Sequence, residues 1–248
     1  FRQAVHESWK QHGYLIKSKK LKPDETKLVK KYCDSDEYEH LSRLKIISGL
    51  KLLSEFLNIH FEEQAMILVD EYDTGINAAF QNPHMDNGDL QDIISLHRAI
   101  LGQTFKSNEH LKQGLVTGIL RIAKANIFSG FNNAGEFNIR DEKFSGHYGF
   151  TQEEVDYLVE LYNIPLDLSD KLKDWYNGYE VPGNAIYNPW SVLRALDAFK
   201  DYEYVADSKT LHKYVLKNYW QESGGFNFIS PLFKHDNVKD QFIALSNN

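Results

Sequence analysis

The segment Met66-Ile67-Leu68-Val69-Asp70-Glu71-Tyr72-Asp73 holds the sharpest chemical signal in the chain. Four apolar residues run straight into adjacent carboxylates. A buried strand of this kind delivers its first acid to the C-terminal edge of a parallel sheet, where ligands bind in open α/β folds. There Asp70 can hold a Mg²⁺ ion bound to phosphate oxygens, and Glu71 can polarise an attacking water. In the blander reading the same acids cap the following helix, and the motif alone leaves both readings open. Arg121 follows Gly118-Ile119-Leu120 at the expected end of a second strand, where a cation could reach a terminal phosphate. A surface arginine paired with a carboxylate is the alternative. Asn132 and Asn133 lie in a turn with Ser129, Gly130 and Gly135. In such turns Asn usually serves backbone geometry, because it tolerates left-handed conformations.

These residues need elements to position them. Ala65 to Val69 is a short continuous apolar run, which fits a strand buried on both faces of a parallel sheet. A second strand is expected over Gly114 to Ile122. Between them Ile93, Ile94, His97, Ile100 and Leu101 mark one side of a helix from about Leu90 to Phe105, and strand, helix, strand is a crossover unit. Upstream, the spacing of Leu41, Leu44, Ile47, Leu50, Leu53 and Leu57 predicts an amphipathic helix over Asp36 to Asn58. Shorter helices are expected around Val5 and Trp9, ending near Gly13, and after Pro23. Downstream of Phe150 the pattern turns helical. Thr151 and Glu154 form a capping box ahead of Val155, Leu158, Val159 and Tyr162. Helices are expected around Leu168 to Trp175, Pro189 to Phe199 and Ser208 to Trp220. Strand signals are scarce there, and Tyr176-Asn177-Gly178-Tyr179 and Tyr187-Asn188-Pro189-Trp190 read as aromatic turns packed between helices. The expected division is residues 1–150 and 151–248.

Composition narrows the function classes. The 248 residues are 25% charged and 42% hydrophobic, as in ordinary globular domains. A net charge of −7 argues against nucleic-acid binding, which needs clustered Lys and Arg. The basic stretch Lys17, Lys19, Lys20 and Lys22 is short and reads as solvated surface. With Cys33 as the single cysteine, no disulfide framework is possible. No apolar run approaches the roughly 18 residues of a membrane span. None of the ten histidines forms a metal-like i, i+4 pair, and no Ser/His/Asp arrangement stands out.

"LVDEYDTGIN", "GLVTGILRIAKANIFSGFNNAGEFNI", "YGFTQEEV", "WYNGY" and "YNPWSVLRAL" occur in this order. Together they resemble the bacterial AAA-ATPase-like family, whose P-loop core is often fused to a PD-(D/E)XK nuclease-like domain. The resemblance runs over roughly residues 40 to 200. It implies a P-loop NTPase core followed by a helical, possibly winged-helix-like domain. It makes Asp70 the metal-side acid of a Walker B strand, Glu71 the catalytic acid and Asp73 an auxiliary acid. Arg121 and Asn132 or Asn133 become candidate sensors of bound nucleotide.

The chain departs from that family at one decisive point. A P-loop reads G-x-x-x-x-G-K-[ST], and it should precede the Walker B strand. The only glycines before Asp70 are Gly13 and Gly49, and no Gly-Lys pair occurs anywhere. Gly75 also stands where the family usually has proline. The expected fold is therefore an α/β remnant of a P-loop core, predominantly helical, with a C-terminal helical domain. A core cut short would leave an open apolar sheet edge, an aggregation hazard, so the reading taken is a degenerate, non-hydrolysing copy that acts as a protein-interaction or regulatory domain. Its partner would be a protein, for instance a nucleotide-binding protein such as a small GTPase met by a bacterial effector. The alternative is the truncated core of an active Mg-dependent ATPase. No cofactor is expected for the chain alone, and ATP with magnesium only if a P-loop is present in the parent protein. Phe131 and Phe137, in a long segment rich in Gly, Asn and Phe, are the expected interface anchors. The setting is cytoplasmic or a host cytosol.

Overall fold

The computed structural model describes residues 1–82, 84–118, 134–182, 184–205 and 207–219. The chain divides into two compact units, Phe1–Ala134 and Gly135–Asn248. Phe150 belongs to a strand of the second unit.

In the first unit, helices α1 (Arg2–Gln11), α2 (Pro23–Cys33) and α3 (Arg43–Phe61) precede strand β1 (Ala65–Val69). Helices α4 (Thr74–Gln81) and α5 (Asn87–Phe105) then lead to strand β2 (Leu111–Val116). β1 and β2 pair in parallel, from Ala65 opposite Leu111 to Val69 opposite Val116. The crossover read from the sequence is thus present. β2 begins three residues earlier than expected and stops at Val116, and residues 119–122 lie outside the described part.

The helical core has its own logic. Trp9 stacks on Tyr32 with ring centroids 4.5 Å apart and meets Phe56 edge-on. Such aromatic pairs add about 0.5–1.5 kcal/mol beyond the area they bury. Gly49 lets α1 lie close to α3: a Cβ there would come within 2.6 Å of Val5. The Trp9 indole donates to the Gly49 carbonyl at 3.2 Å, which satisfies the polar end of a fully buried ring. Two expectations need correction. α3 starts at Arg43, seven residues after Asp36, because Tyr38–His40 form a 3₁₀ turn and Leu41 is buried ahead of the helix. The buried stripe of α3 is Ile46, Gly49, Leu53 and Phe56, and Leu44, placed on the apolar face by spacing, is 77% exposed. Gly49 carries no hydrophobic signal, so the pattern was phased on the leucines.

β1 differs from expectation more consequentially. It is not buried on both faces. Ile67 and Val69 pack with Ile76, Ile94, Leu101 and Phe105, but Met66 and Leu68 are 60% and 68% exposed. Leu115 on β2 is exposed beside them.

The second unit is not purely helical. Strands β3 (Phe150–Thr151), β4 (Asn177–Val181) and β5 (Asn184–Tyr187) form an antiparallel sheet in the order β3-β5-β4. Of the two aromatic segments read as turns, Asn177 to Tyr179 belong to β4 and Tyr187 ends β5, while Asn188 caps the helix that Pro189 and Trp190 begin. Helices α6 (Gln152–Leu161), α7 (Leu166–Tyr176), α8 (Pro189–Tyr202) and α9 (Ser208–Val215) surround a core of Val155, Leu168, Leu172, Tyr187, Val192 and Leu196. The Thr151 capping box closes as expected: Thr151 Oγ1 accepts from the Glu154 N–H at 3.3 Å, and Glu154 accepts in return at 2.8 Å. Among the described residues no helix is long and apolar enough to cross a membrane.

Substituting Gly49→Leu should overpack the α1–α3 contact and lower stability by about 1–3 kcal/mol. Chemical denaturation measures it, and an unchanged midpoint would contradict the close approach described here.

Candidate functional site

β1 ends where β2 ends, so both strands deliver their next residues to one edge. Asp70 sits there, exposed, and its Oδ1 accepts a hydrogen bond from the Glu71 N–H at 2.9 Å and another from the Thr117 hydroxyl. Thr117 is the first residue past β2. The strand ends are stitched further by Thr117 N–H to the Val69 carbonyl at 2.8 Å and Tyr72 N–H to the Thr117 carbonyl at 3.0 Å. Both hydrogen bonds to Asp70 fall on one carboxylate oxygen. The other takes none among the described residues, which suits a carboxylate that binds a cation through a single oxygen.

Glu71 follows in a left-handed backbone conformation with φ of 49°. Outside glycine that conformation costs about 1–2 kcal/mol. Its exposed side chain accepts from the Thr74 hydroxyl at 3.2 Å, and its carbonyl accepts from the Thr74 N–H at 3.0 Å. The turn re-aims the chain so that Glu71 stays outside while Tyr72 and Asp73 go in. Asp73 is 2% exposed and accepts from Asn77 Nδ2 at 3.0 Å. Gly118 makes room for this. A Cβ there would lie 2.5 Å from the Tyr72 ring and 2.6 Å from Asp73 Oδ1.

The three acids therefore divide. Asp70 and Glu71 face outward at the sheet edge, and Asp73 is an internal group at the start of α4. Behind it sits His97 of α5, buried, with no hydrogen-bond partner on either ring nitrogen. The rings of Phe1 and Tyr72 meet it edge-on, with centroids 5.2 and 6.0 Å away. Burial pushes the imidazole down to about 4, the Asp73 carboxylate opposes that shift, and the Phe1 amino group adds to it. The neutral ring is thus the form this site holds near neutral pH. Sequence reasoning put His97 on the apolar side of α5, which is correct, but missed its place beneath the acids. Thr117 was missed as well. Its signal was only its position, one residue past a strand end.

Arg121, Asn132, Asn133 and Phe131 lie outside the described residues. Phe137 is 43% exposed, stands edge-on to Phe144 at 4.6 Å, and has the Lys143 ammonium 5.2 Å from its ring centre. The loop's own side chains thus hold one of its faces.

Away from the acids, Asp167 accepts from the Ser208 hydroxyl, and His212 Nε2 lies 3.3 Å from the same carboxylate and 3.5 Å from Ser208 Oγ. Ser208 and His212 stand one turn apart on α9, but Asp167 lies 41 residues before Ser208, so no local pattern joins it to them. It is not a nucleophilic triad. There the carboxylate and the hydroxyl must bond opposite ring nitrogens, and here both approach Nε2. The cluster ties α7 to α9. Among the described residues no group of three His, Cys, Asp or Glu side chains is arranged to hold a metal. A magnesium ion bound with a nucleotide needs only one or two carboxylates, the rest coming from phosphates and water.

Residues 6–128 match the AAA-ATPase-like family, described as a predicted AAA-ATPase, and this segment contains β1, α5, β2 and all three acids. The chain is also similar to the "Uncharacterized protein in vnfD 5'region" of Azotobacter chroococcum mcd 1. The two are 28% identical over 170 residues, which cover 68% of this chain and 29% of that protein. The chain therefore spans less than a third of that relative's length. No solved structure matches it.

Two outcomes follow from the geometry. Glu71→Gly should raise stability by about 0.5–1 kcal/mol, the left-handed strain less the chain entropy glycine loses, while Glu71→Gln should change it little because the side chain is exposed. Thermal melts compare them, and a clear loss in both would make Glu71 a structural cap. For His97, the unfolded chain binds a proton below about 6.5 and the folded chain does not until about 4. Stability should therefore fall as pH drops through that window, by up to about 1.4 kcal/mol per pH unit. His97→Leu should flatten that slope relative to the parent, and an unaltered slope would show that His97 is not the group responsible.

Proposed function

We propose that the first unit is the remnant of a P-loop NTPase core that keeps the magnesium side of a nucleotide site, and that residues 1–248 by themselves do not hydrolyse ATP. On this reading the module works with further polypeptide, as a protein-interaction or regulatory domain. The observation that carries it is the pairing of two facts. Asp70 is fixed at the shared end of two parallel strands by Thr117 and by the Glu71 N–H. Yet the chain contains no G-x-x-x-x-G-K-[ST] to cradle phosphates and no lysine placed by it.

Asp70 is the residue that would hold a magnesium ion, and Glu71 is the one that would orient a water. The ion, when bound with a nucleotide, supplies charge neutralisation on the phosphate oxygens. Glu71 stands outward on a strained turn, a conformation that costs stability without contributing to the core. That strain favours a second reading, in which the same acids serve an active Mg-dependent ATPase once a P-loop is supplied from outside these residues. A regulatory contact with a nucleotide-binding protein such as a small GTPase is a partner class the first reading admits. For the second unit, the β4–β5 hairpin against helices is what supports a winged-helix-like reading.

Calorimetric titration of Mg-ATP into the 248-residue chain tests the proposal. Binding no tighter than millimolar and no turnover are expected. Micromolar binding with turnover, lost in both Asp70→Asn and Glu71→Gln, would overturn it.

A further inference from the structure

A cavity of about 550 Å³ runs along β1 on the side away from β2. One wall is α1, through Ala4, Val5 and Ser8, and the floor is α3 and α5, through Leu50, Leu53, Leu57, Ile100 and Leu101. Every residue from Ala65 to Tyr72 contributes to the opposite wall. The cavity is a trough as long as the strand.

The strand's backbone explains what such a trough is suited to. Ala65 donates to the His110 carbonyl at 2.8 Å, and Val69 accepts from Thr117 at 2.8 Å, both toward β2. Backbone groups alternate in direction along a strand. The N–H and C=O groups of Met66 and Leu68 therefore lie on the other edge, and among the described residues no strand pairs with that edge. His97 lines the same trough, buried, with both ring nitrogens unpartnered. Its neutral ring offers one donor and one acceptor. The trough is thus apolar in its floor, has a row of backbone donors and acceptors along one wall, and holds one unsatisfied side chain.

We propose that the trough is a docking site for one extended strand of polypeptide from outside residues 1–248, which adds to the free edge of β1. An extended chain alone supplies all that is missing: alternating backbone N–H and C=O for Met66 and Leu68, a polar backbone group for His97, and alternate side chains for the leucine floor. The charged side chains along the trough are the Asp70 and Glu71 carboxylates, just past the end of β1. No Lys or Arg lines it. A charged side chain pointing to the floor would be buried without a partner, so the occupant carries uncharged apolar residues at alternate positions. A second copy of the chain does not fit. Its own β1 lies behind its own α1, and two such edges cannot meet. The inference does not depend on nucleotide binding at Asp70 and Glu71.

Residue-resolved hydrogen exchange of the 248-residue chain tests this, with the capped peptide acetyl-Thr-Val-Thr-Val-Thr-Val-amide as probe. Without probe, the Met66 and Leu68 amides should exchange at least about tenfold faster than those of Ile67 and Val69, since protection follows hydrogen bonding. Saturating probe should slow Met66 and Leu68 and shift the His97 ring resonances. A probe with Glu at the three Val positions should do neither. Ser8→Glu, a change on the half-buried wall of α1 outside the core, should abolish the response at an unchanged melting temperature. Equal protection of all four amides before probe is added would overturn the proposal. So would a probe response that survives Ser8→Glu, or protection that rises with protein concentration alongside dimer formation in sedimentation.

Discussion

Everything at the acid edge rests on the parallel pairing of β1 with β2 through α5. A parallel pair cannot be closed by a tight turn, and it needs a crossover that lies against one of its faces. Here α5 does that, and its Ile94, Leu101 and Phe105 pack under Ile67 and Val69. Gly114 shows how close the contact is, since a Cβ at that position would come within 2.5 Å of the Phe105 ring. The helix thereby fixes the two strands in register, the register brings Val69 and Val116 level, and level strand ends put Asp70 within reach of Thr117. The bonds that join the two strand ends, from Thr117 to Asp70 and to Val69, depend on that register.

The same pairing leaves the structure unfinished on its other side. Parallel sheets are ordinarily covered on both faces, and a two-stranded sheet has little stability of its own. This one is covered on one face by α5, and its outer face shows Met66, Leu68 and Leu115. A run such as Ala65 to Val69 is what a strand covered on both faces looks like in sequence. The residues are suited to more polypeptide than the described part of the first unit supplies. That mismatch between residue type and surroundings, rather than any single contact, is the reason to read the unit as part of a larger assembly of strands.

Much of this was legible in the residues, and the failures have physical causes. β1, the crossover, α5 with His97 on its buried side, and the Thr151 capping box all came from local signals: apolar period, cap chemistry and the acids at a strand end. The expectation that β1 is buried on both faces failed because a sequence run reports what a strand is fit for, not what stands beside it. The stripe of α3 was misphased because Gly49, a contact residue by virtue of having no side chain, is invisible to hydrophobic periodicity. Asn177 to Tyr179 read as a turn because Asn-Gly is a turn signal at close range, while the pairing with β5 that makes them part of β4 is a tertiary fact. Thr117 and the Asp167–Ser208–His212 cluster depend on residues far apart in sequence, which no local pattern joins.

The division among the three acids shows how a turn can sort identical chemistry. Asp70 and Glu71 are neighbours, yet Asp70 is held by hydrogen bonds that stiffen one oxygen and Glu71 is held by a backbone conformation that its residue type disfavours. Asp73, two residues on, is turned inward by that conformation, into the space that Gly118 leaves open. The inward turn also brings Asp73 near the His97 ring, where its charge partly offsets the desolvation that keeps the ring neutral. A straight continuation of β1 would instead have put Glu71 and Asp73 together on the inward face of Ile67 and Val69, leaving Asp70 as the one outward acid. The strained residue is what separates two acids available to a ligand from one committed to the interior. A left-handed Glu at this point is therefore the price of having both kinds of carboxylate within four residues.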